Sequence, residues 1–267
     1  MKYTFDHDYH IHSKISLCSD DPQQTTDRIL KYAFDNGLKK IVVTDHYWDE
    51  SLPCSLDWYR VQGFDRIKAS LPLPRAEGVD FLFGAETEFN MNYQIGVPED
   101  MYDAFDFIVI PFTHLHIGGF VIKEEDKNIP EKMAELWFSR LEKLLSLDLP
   151  FHKIGIAHPV CEMIGNKKLG TYLEPMKLIN KRPEEMARLF KKAAALGVGI
   201  EINQYDIDLP DEDLEYILPM YRIAKDAGCK FYLGSDAHHP DHFERSKIAF
   251  EHFIDLLGLE ETDKFHF

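Results

Sequence analysis

The sequence predicts an α/β fold in which seven strand-to-helix units form a closed or nearly closed parallel barrel with its helices outside. Two observations carry this prediction: short β-branched or aromatic runs alternate with helical patterns, and no composition break or low-complexity linker interrupts them. A third concerns chemistry. Histidines and carboxylates recur where apolar strands end, and in such barrels the loops after the strands carry the function. With 267 residues, 45% of them hydrophobic, one domain over residues 1–267 is expected, since α/β barrels use about 200–250 residues as a single domain.

The first strand ends in Asp8-Tyr9-His10-Ile11-His12-Ser13. Alternate side chains share a strand face, so His10 and His12 point one way and Ile11 the other. Thr25 and Thr26 open the first helix, Ile29, Leu30, Ala33 and Phe34 form its buried stripe, and Asn36-Gly37 stops it. Residues 40–44 read as the second strand, running out into Thr44-Asp45-His46, and residues 59–71 as the second helix. The third strand, 79–83, leads into Gly84-Ala85-Glu86-Thr87-Glu88. A short helical segment near 99–104 precedes the fourth strand, 107–111, which ends at Thr113-His114-Leu115-His116.

The helix over 131–145 places Met133, Leu136, Trp137, Leu141 and Leu144 on one side, and Pro130 and Glu131 suit its N-terminus. The fifth strand, 153–157, ends at His158-Pro159. Pro183, Glu184 and Glu185 open a further helix whose stripe is Met186, Leu189, Phe190, Ala193 and Ala194, closed by Gly197. The sixth strand, 198–202, ends at Asn203, and a helix over 211–227 contains Pro219, which should kink or split it. The seventh strand, 230–233, leads into Gly234-Ser235-Asp236-Ala237-His238, and Phe250, Phe253, Ile254 and Leu257 mark a last helix.

A net charge of −16 argues against a phosphate-backbone partner, because nucleic-acid affinity comes largely from basic residues that neutralise phosphates. A small substrate fits better. Cys18, Cys54, Cys161 and Cys229 show no paired short spacing, and residues 1–12 are too charged for a signal-peptide core. The longest apolar runs, such as 105–112, are far short of the ~20 residues that span a bilayer. A reduced, cytoplasmic protein is the expectation, with no preference as to oligomeric state.

Taken in order, Asp8-Tyr9-His10-Ile11-His12-Ser13, Thr44-Asp45-His46, Gly84-Ala85-Glu86, His114, Ala157-His158-Pro159 and Gly234-Ser235-Asp236-Ala237-His238 resemble the motifs of the polymerase-and-histidinol-phosphatase (PHP) phosphoesterases. The resemblance covers nearly the whole chain. It implies a distorted (β/α)7 TIM-like barrel with two or three divalent metal ions, of zinc, manganese or iron, that hydrolyse phosphate esters. Carried onto this sequence, it puts His10, His12, Glu86 and Asp236 on a first metal. Glu86 would bridge to a second metal held by His114 and His158, and His46 and His238 would hold a third. Neutral imidazole and carboxylate suit borderline divalent ions. The third site departs from the family pattern: the offset that often carries a histidine falls on Cys18, with Asp20 and Asp21 as other candidates and an ordinary loop cysteine as the structural alternative.

The remaining candidates are weaker. His116 is an alternative to His114, Glu88 is expected at the rim, and Asp45 is expected to orient or hydrogen-bond near His46. His239 and His242 read as loop surface. Lys14 and either Lys167 or Lys168 are candidates to meet a phosphate, and Asn203 to touch substrate or to satisfy backbone groups. The segment 114–128 reads as a substrate lid with Gly118-Gly119 as hinge. In the implied mechanism a metal-activated water attacks phosphorus in line, Glu86 and Asp236 carry the ions, and His238 is one candidate for the leaving-group acid. The leading expectation is a phosphatase for a small phosphomonoester such as histidinol phosphate. The alternatives are a phosphodiesterase or exonuclease of the same family and an inactive metal-binding regulatory module.

Overall fold

The computed structural model describes residues 1–160 and 173–267. Among them eight parallel-paired strands form one sheet: β1 (His7–Ile11), β2 (Lys40–Val43), β3 (His46–Tyr47), β4 (Asp80–Thr87), β5 (Phe107–Pro111), β6 (Ile154–Ala157), β7 (Gly199–Asn203) and β8 (Lys230–Gly234). The order around the sheet is β1-β2-β4-β5-β6-β7-β8, and β3 continues the line of β2 by pairing His46 with Glu86 and Tyr47 with Thr87. Chain order and spatial order therefore coincide, as a barrel of βα units requires. The ring closes where Asp236 N donates to His10 O at 2.7 Å and His12 N to Ala237 O at 3.1 Å. The fold is an α/β, TIM-like barrel of seven main strands.

Helices α1 (Thr26–Asn36), α2 (Asp57–Arg60), α3 (Phe64–Ile67), α4 (Pro130–Leu144), α5 (Glu174–Ile179), α6 (Pro183–Leu196), α7 (Gln204–Ile207), α8 (Asp211–Asp226) and α9 (Phe243–Leu257) connect the strands. The Thr25 side chain caps α1, and Gly37, at φ 68°, ends it in the left-handed conformation. Its buried stripe differs from expectation: Tyr32 is buried and Phe34 is 67% exposed. At 100° per residue, Phe34 lies 140° around the helix from Ile29, whereas Tyr32 lies only 60° away. The expected helix over 59–71 is instead α2, α3 and a 3₁₀ turn: α2 ends at Arg60 with Val61 as its cap, and extended Gly63 starts α3. Conversely, α8 runs through Pro219 unbroken. The carbonyl that Pro219 leaves without an intrahelical donor belongs to Glu215, an exposed residue that water can serve.

Two features of β1 and the barrel floor position the site. Asp8 pairs with Ile41 but Ile11 pairs with Val43, so one extra β1 residue bulges between them. Below the bulge Tyr9 packs inside the barrel with Phe107, Val109, Tyr232 and Phe265, while Asp8 Oδ2 accepts the Tyr32 hydroxyl from α1 outside. Above it, His10 and His12 turn inward and Ile11 joins the outer core. A bulge re-aims side chains in this way. Phe267 stacks on Phe107 at 4.6 Å between ring centroids and closes the floor, leaving the polar layer at the opposite end, above the strand C-termini.

Candidate metal centre

Glu86, at the end of β4, is the hub of that layer. Its Oε2 lies 3.0 Å from His46 Nδ1, 3.2 Å from His12 Nε2 and 3.5 Å from His10 Nε2, and its Oε1 lies 3.3 Å from His158 Nε2 and 4.0 Å from His114 Nε2. Asp236 Oδ1 stands 3.2 Å from His12 Nε2 and 3.5 Å from His10 Nε2. These side chains come from six strand ends and are buried. Two of them sit at positive φ, His158 at 23° and Asp236 at 52°. For residues other than glycine this is a strained setting, held in place by the surrounding contacts.

The outer hydrogen bonds decide which ring nitrogen faces inward. His10 Nδ1 donates to Glu201 Oε1 at 2.7 Å, and His12 Nδ1 to Ser16 Oγ at 3.1 Å. Ser16 Oγ in turn donates to Asp45 Oδ1 at 2.8 Å, so Asp45 supports His12 rather than the His46 ring. Asp45 also accepts Ser13 N–H and O–H, both at 2.7 Å, which fixes the turn after β1. The Thr113 hydroxyl donates to His158 O at 2.9 Å and so accepts from His158 Nδ1 at 3.3 Å. His114 Nδ1 donates to Glu88 Oε1, which also receives the Tyr59 hydroxyl at 2.9 Å. All four histidines are thereby left with an Nε2 lone pair turned toward Glu86. The Nε2 atoms of His10 and His12 face each other at 3.2 Å.

Such a convergence of acceptors is unstable unless a cation lies among them. In the ion-free protein protons play that part. Burial disfavours the charged forms, but the imidazoles of His46 and His10 hold Glu86 well below the usual carboxylate range. Against the same burial, the Glu86 and Asp236 carboxylates push His12 up to about 9. A divalent ion would displace these protons. The donor set, imidazole nitrogen with bridging-capable carboxylate, fits zinc and other borderline ions. The ligand atoms of His10, His12 and Glu86 lie within 4.8 Å of one another, and so do those of Glu86, His114 and His158.

Three residues here were not legible in the sequence as site residues. Glu201 is buried in β7 and, besides His10, accepts His158 N–H and the Asn203 amide. Its signal is a carboxylate inside the otherwise apolar Val198-Gly199-Ile200-Glu201-Ile202. Gly234 makes room for it, because a Cβ there would lie 1.8 Å from Glu201 Oε1 and 2.8 Å from His10 Cβ. Ser16 carried no signal at all. Glu88, expected at the rim, is fully buried, and burial with the charge of Glu86 pushes it up to about 7. Glu201→Gln is expected to weaken ion binding by about 10–100-fold, the range for removing an outer partner of a metal-binding histidine. Competition with a chromogenic chelator measures this; unchanged affinity would show that Glu201 does not orient His10.

The other candidates fall in different places. Asn203 does not line the cavity above the cluster: its amide lies 3.2 Å from Glu201 Oε2 and 3.5 Å from Asp236 Oδ2, and its Oδ1 caps α7 through Tyr205 N. Of the two expectations for Asn203, this contact is the one with a backbone group. Lys14 is exposed and also absent from that lining, while Cys161, Lys167 and Lys168 lie outside the described residues. His116 lines the cavity beside His114 without joining the Glu86 group. His239 Nε2 pairs with Asp21 at 2.6 Å, and His242 Nδ1 meets the Tyr205 hydroxyl at 2.8 Å.

The cavity measures about 370 Å³, with the cluster at its base and Leu56, Trp58, Tyr59 and Ile117 among its walls. Within the segment 114–128, the middle is packed down. Phe120, Val121 and Ile122 are buried, and Arg140, itself buried in α4, donates to the carbonyls of Phe112 at 2.9 Å and Val121 at 3.0 Å. Phe120 also packs its ring on Trp48 and Tyr59.

No family model and no curated protein matches the chain. Among solved structures it is similar to the histidinol phosphate phosphatase of Lactococcus lactis subsp. lactis, determined with zinc, L-histidinol and phosphate. The TM-score is 0.57 at 15% identity, over 98% of this chain and 99% of that one. The likeness is one of fold. Among the described residues, no helix is long and apolar enough to cross a membrane.

Proposed function

We propose that this chain is a metal-dependent phosphatase acting on a small phosphomonoester, of the PHP type that its motifs resemble. The observation that carries the reading is the convergence of five imidazoles on the single carboxylate Glu86, with Asp236 facing two of them, His10 and His12. His10, His12, Glu86 and Asp236 would hold one ion, and Glu86, His114 and His158 a second. Ions bound there supply Lewis acidity, easing deprotonation of the attacking water and offsetting charge on the phosphoryl oxygens.

The chain's own residues do the rest. Glu201, Ser16, Glu88 and Thr113 hold four rings with Nε2 inward, so little reorganisation is needed when a substrate arrives. Trp58, Leu56 and Ile117 form an apolar wall beside the cluster, able to cover the organic part of an ester and keep bulk water from the reacting end. No lysine or arginine is among the described residues of the lining, so the cluster itself is the main attraction for phosphate. The net charge of −16 disfavours a polynucleotide. Histidinol phosphate is the leading single substrate, supported by the motif resemblance and by the fold shared with the Lactococcus enzyme.

Phosphate release from a panel of monoesters, including histidinol phosphate and phenyl phosphate, beside bis(p-nitrophenyl) phosphate tests the reading. Monoesters are expected to turn over at least about tenfold faster, a 1.4 kcal/mol preference. Preferential diester cleavage would favour the phosphodiesterase alternative, and silence across the panel with metal bound would favour a binding module.

A further inference from the structure

The loop between β1 and α1 carries Cys18 to His12, His46 and His238, with one ligand atom of each residue within 4.8 Å of every other. Both sides of the cysteine are fastened. Leu17 N donates to Gln62 Oε1 at 3.0 Å, and the Ser19 hydroxyl donates to the carbonyl of His238 at 2.6 Å. Ser16, two residues earlier, receives His46 N–H at 3.0 Å. The loop is thus tied both to β3 and to the β8 end that supply the two histidines. The other acidic candidates point elsewhere: Asp21 is paired with His239, and Asp20 is exposed and joins no ligand cluster among the described residues.

The orientation of the histidines agrees with this grouping. His238 Nδ1 donates to Asp236 O at 2.6 Å, which leaves its Nε2 lone pair free. His12 Nε2 already faces Glu86 and Asp236, so it belongs with the first ion position and forms the boundary between the two groups.

We propose that Cys18 binds as a thiolate at the third metal position, the one the motif resemblance puts on His46 and His238, and makes that position thiophilic while the other two remain imidazole and carboxylate sites. The inference rests on the metal-centre reading above. As the metal–sulfur bond forms, the S–H bond breaks and its proton passes to solvent. Thiolate favours zinc over manganese, so the third position should differ in metal preference from its neighbours. A His238 engaged in this way is not the leaving-group acid.

Cobalt(II) titration of the metal-stripped chain tests the proposal, because thiolate ligation produces a near-ultraviolet charge-transfer band. The wild-type chain is expected to show the band. C18S should lose it and bind one ion fewer per chain while keeping the others, and C161S should retain it. In parallel, zinc loading should protect Cys18 of the wild-type chain from iodoacetamide at least tenfold, a readout that needs no variant. No band in the wild type, a band that persists in C18S, or equal alkylation with and without zinc would overturn the proposal. If ions bind and support phosphate release but no thiolate band forms, only this inference fails. If no ion binds at all, the metal-centre reading fails with it.

Discussion

Glu86→Gln is expected to lower metal-dependent phosphate release by about 10³-fold or more, because one substitution removes the charge that two ion positions share. Five imidazole nitrogens lie within 4.0 Å of this carboxylate. An amide keeps the shape but turns an N–H₂ group toward ring nitrogens that are themselves lone-pair acceptors or ion ligands. Both pairs, His10 with His12 and His114 with His158, then lose their common anionic partner. The barrel should stay folded, since Glu86 lies in the polar layer above the aromatic floor. Ion content by plasma emission, circular dichroism and phosphate release, measured on one preparation, check this. A variant with native ion content and near-native turnover would remove Glu86 from the centre of the account.

The second large effect concerns stability. An ion that binds only the folded chain stabilises it by about 4 kcal/mol when present at a thousand times its Kd. For a chain of this size each kcal/mol moves Tm by roughly 2–4 °C, so chelation should lower Tm by roughly 8–16 °C. The physical source is local. Without an ion, the carboxylates of Glu86 and Asp236 and the buried imidazoles around them depend on protons to avoid facing one another as bare acceptors. Scanning calorimetry of zinc-loaded and chelated protein measures the shift, and identical melting curves would mean that the cluster holds no ion.

Much of this was legible because barrel strands write themselves in β-branched runs and because ligand side chains stop those runs. The pairing of His10 with His12 follows from a period of two, and Glu86, His114, His158 and Asp236 stand where apolar strands give out. The β1 bulge was not legible. Nothing in Asp8-Tyr9-His10-Ile11 distinguishes a regular strand from one carrying an extra residue, yet the bulge lets Tyr9 and His10 both face the interior. The orienting groups were hidden for a different reason. Ser16 and Glu88 act through tertiary contacts with His12 and His114, and an isolated serine or glutamate gives no sign of its partner. Glu201 did leave a mark, as a charge in an apolar strand, and shares its parity with Asn203. Short elements fared worst: the break before Gly63 and the tethering of Val121 by Arg140 depend on packing that no local pattern encodes.

The most direct test of the central claim is phosphate release from a monoester by chelated protein as zinc or manganese is returned in equivalents. The account predicts no turnover without metal and recovery that requires two ions per chain, with Asp236→Ala and His158→Ala folded but silent at every ion level. Turnover by the fully chelated chain, or undiminished turnover in either variant, would contradict it.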